Sequence, residues 1–359
     1  MQPENPWAAG SPSHETDILQ QMDSTRTRRL RVVHSTRKAA GGTKYATHMA
    51  AVAGDDVEAA FFTWPRALFG RYDIFHLHWP EALAGGGRGP RHLLKRALAG
   101  ALLWRLRHGR AAVVSTRHNP APHEAAAGRD TGARMRAAFE ALAEVEIQLV
   151  PEPGRQTRAE LMPIPHGSYV EPFAGHDRSA PVSGRVLFVG LMRPYKGIED
   201  LLGAFAGVDD AAVSLRLVGK PLDPRVAAAV EHAAARDHRV SHRFGFVPDA
   251  DLVAEVTASE LVVLPYRELH SSGIALVALS LGRPILVRDT ESTRALRAEV
   301  GEGWVRLLRD PWGAADLVAA LRAGIPEGTP DLSARTWDRV RRGHIEAYRR
   351  AVARKRGLT

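Results

Sequence analysis

Short apolar runs alternate with segments of helical period along almost the whole chain. In the first half, the runs near Leu30–His34, Glu58–Thr63, Ile74–Trp79, Ala112–Thr116, Ile147–Val150 and Met162–Ile164 predict strands. Helical period fills Thr43–Ala53, Arg91–Arg107 and Ala133–Ala143. The second half repeats the rhythm more regularly. Its strands are expected near Val186–Val189, Ser214–Val218, Ser241–Phe244, Leu261–Leu264, Pro284–Val287 and Trp304–Leu308. Helices are expected between them at Ile198–Ala206, Pro224–Arg236, Ala250–Ser259, Ile274–Leu281, Thr293–Val300 and Ala314–Ala323. Continuous apolar strands separated by helices imply parallel sheets with connecting helices on their faces.

The pattern therefore predicts an α/β protein of two doubly wound domains facing a cleft. A first domain is expected over 29–171, a Pro/Gly/Ser-rich linker over 172–184 and a second domain over 185–330. A final helix, about Ala334–Lys355, has no strand after it, and 331–359 forms a separate helix and basic tail. The stretch 1–28 is rich in Pro, Ser, Gln and Thr and is expected to be disordered. It lacks the basic and apolar regions of a signal peptide.

A length of 359 residues suits two domains, with 45% hydrophobic and 25% charged residues. The chain has no cysteine, which excludes disulfides, thiolate metal sites and cysteine nucleophiles and fits a reducing cytoplasm. No apolar run is long enough to span a bilayer.

Charge changes this picture more than composition does. The net charge is +9, yet Ala82–Arg110 holds seven cations and no acid, and Ala334–Thr359 holds nine cations and two acids. The first segment also carries Leu93, Leu94, Leu98, Leu102, Leu103 and Leu106. A basic amphipathic helix of that kind suits an anionic membrane surface; a core-packed helix with a solvated basic face is the plainer alternative. Few aromatics and no recognisable nucleic-acid motif argue against nucleic acid as a partner.

The most informative stretch is Arg185–Gly197, RVLFVGLMRPYKG. A buried strand ends at Gly190, and Arg193 and Lys196 follow in a loop that leads into a helix. Strand ends of open α/β sheets bind ligands, and a helix N-terminus favours anions, so these two cations point to a diphosphate. Gly-x-Gly-x-x-Gly and Walker A patterns are absent, which argues against a nicotinamide cofactor and a P-loop. A second junction, PYRELHSSG, leads from a strand to a helix of small residues, and Ser271, Ser272 and Gly273 can present N–H groups to an oxyanion.

In the first half, Thr116–Glu124 (TRHNPAPHE) brings a polar cluster to a strand end. His118 is expected to line a sugar or acceptor site, with Glu124, His123 and Glu81 as further candidates for the base. His76 and His78 alternate along a strand and face one way; a hydrogen-bonded buried pair is favoured over a metal site. Asp249 and Asp251 read as helix capping, not as a metal-binding Asp-x-Asp. No metal or cofactor is called for.

Strand-GLMRPYKG-helix, the later RFGFVPDADL and SSGIALVALSLGRPI together resemble the donor domain of GT-B-fold glycosyltransferases. The nearest likeness is to bacterial nucleotide-sugar hexosyltransferases that include the GDP-mannose:glycolipid mannosyltransferases, over roughly Leu30 to Tyr348. The resemblance implies transfer of a hexose, with mannose favoured, from a nucleotide diphosphate sugar to a lipid-linked or saccharide acceptor, on the inner face of the membrane. It implies that Arg193 and Lys196 hold the donor diphosphate and that Gly245, Phe246 and Val247 meet the nucleobase. It also puts Gly41, Gly42 and Thr43 near the transferring phosphate and acceptor, and gives a terminal helix anchored on the first domain by Trp337 and Tyr348. His166 is expected near the hinge. Many retaining relatives carry two glutamates where this chain has Leu269 and Val277; Glu268, one residue out of register, is the ribose candidate left. A nucleotide-sugar epimerase on the same fold and a non-catalytic partner subunit are the rival readings.

Overall fold

A computed structural model describes residues 29–37, 48, 54, 56–84, 89–118, 132–152, 154–267 and 273–358. The chain divides into two compact units; among the described residues, the first comprises those up to Gly167 together with Arg335–Leu358, and the second Ser168–Ala334.

The first unit is built on six parallel strands: β1 (Leu30–His34), β2 (Val57–Phe61), β3 (Ile74–Leu77), β4 (Ala112–Arg117), β5 (Val145–Gln148) and β6 (Glu160–Pro163). Their order is β2-β1-β3-β4-β5-β6, so the chain reverses direction across the sheet between β1 and β3. Alternate residues serve opposite faces. Val33, Phe75 and Val113 pack with Leu102, Leu106 and Phe139 on one side. Val32, Ile74 and Val114 pack with Trp337, Val340 and Tyr348 on the other. The helices are α1 (Trp64–Phe69), α2 (Pro80–Ala84), α3 (Pro90–His108), α4 (Ala133–Glu140) and, after the second unit, α11 (Trp337–Lys355). The sequence pattern predicts neither α1 nor α2. Both are a turn or two long, too short for an apolar period to declare itself, though Pro at each start is the local signal.

The basic terminal segment is spent on holding α11 in place. Arg350 pairs with Glu160 at 2.7 Å, Lys355 with Glu144 at 3.2 Å, and Arg349 with Asp56 at 3.4 Å. In contrast, Arg91, Lys95, Arg96, Arg107 and Arg110 make no ion pair among the described residues. The apolar residues of α3 also divide: Ala99, Leu102 and Leu106 are buried, whereas Leu93, Leu94 and Trp104 are exposed. The helix therefore has two apolar faces, where the leucines alone suggested one.

The second unit carries β7 (Arg185–Val189), β8 (Ser214–Gly219), β9 (Val240–Phe244), β10 (Leu261–Leu264), β11 (Ile285–Arg288) and β12 (Val305–Leu308). The order is β12-β11-β10-β7-β8-β9, all parallel, with the reversal between β7 and β10. Its helices are α5 (Ile198–Ala206), α6 (Pro224–Arg236), α7 (Asp249–Thr257), α8 (Gly273–Ser280), α9 (Glu291–Val300) and α10 (Ala314–Arg322). Helix α8 buries Ala275 through Ser280, as its uniformly small and apolar composition requires.

The stretch read as a linker is tied into this second unit. Tyr169 and Phe173 belong to its core, Ser179 N–H donates to Thr257 Oγ1, and Val182 N–H donates to the Ala258 carbonyl. The division falls between Gly167 and Ser168 and not after 171. A Pro/Gly/Ser composition signals irregular backbone, and irregular backbone can be packed as firmly as a helix.

Candidate functional site

Ligands bind open α/β sheets where the strand order reverses, at the carboxyl ends of the strands. In the second unit that point lies between β7 and β10, and both sequence-derived cations follow β7 directly. Gly190 ends the strand with φ 125°. Arg193 is extended, Pro194–Lys196 forms a single 3-10 turn, and Gly197 adopts φ 66° before α5 begins. A side chain at Gly197 would meet the Pro265 carbonyl oxygen at 2.4 Å, so the turn can close against the end of β10 only with glycine.

This turn puts Lys196 over Gly190: its Nζ lies 3.7 Å from where a Gly190 Cβ would stand. Lys196 Nζ donates to the Tyr266 hydroxyl at 3.3 Å and lies 4.5 Å from the centre of the Tyr266 ring. Burial pushes the Lys196 ammonium down to about 8, and the neighbouring Arg193 charge pushes the same way. Tyr266 is buried, which raises its hydroxyl well above the ordinary phenol range. Gly273 opens α8 nearby in the chain; Ser271, Ser272 and Glu268 lie outside the described residues. Gly245 follows the edge strand β9 with φ 132°, Phe246 is exposed, and Val247 packs on the core. Asp249 and Asp251 stand in the first turn of α7 without a side-chain capping bond, the N-cap being Pro248, and Asp251 pairs with Arg243 at 2.6 Å. They are first-turn acids complementing the helix dipole, not caps.

The first unit reverses between β1 and β3, and a histidine cluster occupies that point. His34 ends β1 opposite His76 in the register. The rings of His76 and His78 stack with centroids 4.1 Å apart, on one side of the strand as expected from their spacing. His34 Nδ1 and His78 Nε2 are 3.0 Å apart, and His78 Nδ1 and His118 Nε2 are 3.1 Å apart. His76 is held by the Tyr348 hydroxyl at 2.8 Å and Thr116 Oγ1 at 2.7 Å. His344 on α11 lies against His76 and Tyr348, its Nδ1 donating to the Val340 carbonyl at 2.7 Å. Trp79 stacks on His118 with centroids 4.0 Å apart and holds an uncommon φ of 34°.

Burial dominates the titration of these rings. His34 and His118 are pushed down to about 3, and His166 and His344 to about 4; His76 and His78 are also well below the ordinary value. The cluster is neutral at pH 7. His34, His76 and His78 each bring a ring nitrogen within 4.8 Å of the others, a separation that three metal ligands could share. In this arrangement both nitrogens of His76 and of His78 are already bound to hydroxyls or to other rings. The sequence showed His76 and His78 but not their partners, because His34, His118 and His344 reach them only through the sheet order and α11.

His166 is buried at the end of the unit, and its backbone carbonyl accepts from Arg335 at 3.3 Å. Glu81 is exposed in the first turn of α2. Glu124, His123, Gly41, Gly42 and Thr43 lie outside the described residues.

Residues 183–323 match the family model described as glycosyl transferases group 1. Across 334 residues, 91% of this chain and 94% of the relative, the sequence is 40% identical to a GDP-mannose:glycolipid 4-β-D-mannosyltransferase of Xanthomonas campestris pv. campestris. Solved structures share the fold at low identity. HepE of Anabaena in complex with UDP matches with a TM-score of 0.57 at 14% identity, over 91% of this chain and 97% of its own. Sucrose-phosphate synthase of Thermosynechococcus elongatus matches with a TM-score of 0.56 at 18% identity, over 92% and 98%. With two parallel sheets of this order and a relative this similar along almost its full length, the chain is a GT-B-fold glycosyltransferase and belongs to the group 1 family that includes the GDP-mannose:glycolipid 4-β-D-mannosyltransferases.

Proposed function

We propose that the protein transfers mannose from GDP-mannose to a glycolipid, forming a β linkage with inversion and without a metal ion. The observation that carries this reading is the 40% identity to a transferase of that donor, acceptor and linkage. Because the sugar in GDP-mannose is α-linked, a β product requires attack from the face opposite the diphosphate. The leaving diphosphate needs preorganised positive charge, and Arg193, Lys196 and the start of α8 supply it at one strand reversal. That arrangement supports metal independence.

His118 receives the acceptor hydroxyl in this reading. It is neutral, so it can accept a hydrogen bond from the hydroxyl. Glu81 and Glu124 are the carboxylate candidates for taking the proton. Phe246, exposed at the end of β9, offers a ring for the guanine to stack on. We take the working position to be the cytoplasmic face of a membrane. The support is α3, whose exposed Leu93, Leu94 and Trp104 are flanked by Arg91, Arg96 and Arg107. No helix among the described residues is long and apolar enough to cross a membrane.

The deciding experiment is a donor screen that measures nucleoside diphosphate release and product linkage with a membrane glycolipid fraction as acceptor. GDP-mannose should be preferred and the product β-linked. Preference for another nucleotide sugar, an α product, or conversion of the sugar nucleotide without acceptor overturns the reading.

A further inference from the structure

Lys196 is a half-buried cation with an unusual mount. Buried lysines are ordinarily paired with a carboxylate, because an isolated buried charge is costly. Among the described residues no carboxylate pairs with Lys196. The group that holds it is neutral: Tyr266, which follows β10 across the strand reversal, gives Nζ its hydroxyl at 3.3 Å and its ring at 4.5 Å. Tyr266 is itself fixed, 5% exposed and edge-on to Phe188 of β7 at 6.2 Å. The charged or titratable side chains acting on this pair among the described residues are Arg193, which repels the ammonium, and Tyr195, which acts on Tyr266. Nζ also lies against Gly190, where a Cβ would stand 3.7 Å from it and 3.6 Å from Ile274 Cγ1.

We propose that Tyr266 is a positioning residue of the donor site, holding the Lys196 ammonium over Gly190 with no carboxylate partner among the described residues, so that the incoming diphosphate supplies the negative charge. The idea rests on the donor site assigned above and adds to it the residue that sets the geometry. An acidic mount would neutralise the lysine in advance and leave little for the ligand. A phenol orients the ammonium and leaves its charge unspent. Two consequences follow. The two parts of the Tyr266 contact contribute separately to affinity for phosphates. In addition, Lys196 is partly deprotonated above pH 8 in the free protein, so diphosphate binding at alkaline pH takes up a proton there.

The test is calorimetric titration of the full chain with GDP, UDP and ADP, and with guanosine as the phosphate-free control. Tyr266→Phe keeps the ring and loses the hydroxyl, so the Kd of the best nucleoside diphosphate should rise about 3- to 10-fold. Tyr266→Leu loses both, and the rise should be about 10- to 100-fold. Guanosine affinity should stay unchanged in both variants. At pH 9, wild-type binding should take up a proton, read from buffers of different ionisation enthalpy, and Lys196→Arg should bind without uptake. A fall in guanosine affinity equal to that of the diphosphate would show Tyr266 to be merely structural and overturn the proposal. So would unchanged diphosphate affinity in Tyr266→Leu, or equal proton uptake in Lys196→Arg. Tightest binding of UDP or ADP would refute guanine as the donor base while leaving the Tyr266 comparison decisive. No diphosphate binding by the wild type overturns both.

Discussion

Acid should unfold the first unit in a window set by its buried histidines. His34, His166 and His344 are each at most 7% exposed, and their folded values lie at about 3, 4 and 4. In the unfolded chain a histidine titrates near 6.5. Between about pH 6.5 and 4 the unfolded state therefore binds a proton at each site and the folded state does not. The sign follows directly: stability is highest above pH 6.5 and falls with acidification, levelling off only near the folded values. At pH 5 each ring costs about 2 kcal/mol, and the three together about 6 kcal/mol. The loss between pH 6 and pH 5 is about 3.5 kcal/mol, a large part of an ordinary domain stability of about 5–15 kcal/mol. His76 and His78 shift in the same direction and add to it. Asp237, held down to about 2 by its bond from Arg239, contributes only at lower pH, while burial raises the Glu140 carboxyl, an opposing effect. The assay is urea unfolding from pH 8 to 5, with hydrogen exchange to locate the unit that opens first. His344→Gln should remove about a third of the slope from these three sites. A slope below ~1.4 kcal/mol per pH unit between pH 6 and 5, equivalent to one proton, would exclude the buried histidines as the cause of the acid sensitivity.

Arg193→Ala and Lys196→Ala should each slow hexosyl transfer by on the order of 10²-fold, by analogy with loss of an oxyanion-hole donor, with folding intact by circular dichroism; unchanged turnover in both would sink the leaving-group assignment. Tyr348→Phe strips the hydroxyl from a fully buried partner of His76 and should cost about 1–3 kcal/mol in urea unfolding, while Tyr348 variants leave GDP binding unaffected. Gly197→Ala meets both φ 66° and the 2.4 Å approach to Pro265, so donor affinity should fall sharply in calorimetry. Leu94→Glu with Trp104→Glu should abolish sedimentation with anionic vesicles and spare hydrolysis-independent GDP binding; equal sedimentation would exclude α3 as the lipid contact. Exhaustive chelation should leave transfer unchanged, and loss of activity restored by a divalent ion would refute metal independence.

Much of the fold of the second unit was readable along the chain because its signals are local. Strand β7, the Arg193–Lys196 turn and the start of α5 are consecutive, so the place of the two cations at a strand end follows from neighbours in the chain. The first half yielded less. Its apolar runs marked the strands to within a few residues, but α1 and α2 are too short to show a period. The leucines of α3 suggested a single face, while the fold buries Leu102 and Leu106 and leaves Leu93 and Leu94 outside. Which leucine is core depends on the helix rotation against β3 and β4, and a list of apolar residues carries no rotation.

Alternation and composition alone therefore determined two parallel α/β units, the cations after β7 and the exclusion of cysteine chemistry. They could do so because period, strand ends and residue chemistry are properties of neighbours in the chain. The tertiary structure alone decided that His34, His76, His78, His118 and His344 form one neutral cluster, that the basic terminal helix spends its charge on Asp56, Glu144 and Glu160, and that Tyr266 carries Lys196. Each of these joins residues from 40 to nearly 300 positions apart. Such contacts depend on strand order, and in a parallel sheet strand order is set by how the connecting helices pack, long-range burial that no local window of sequence contains.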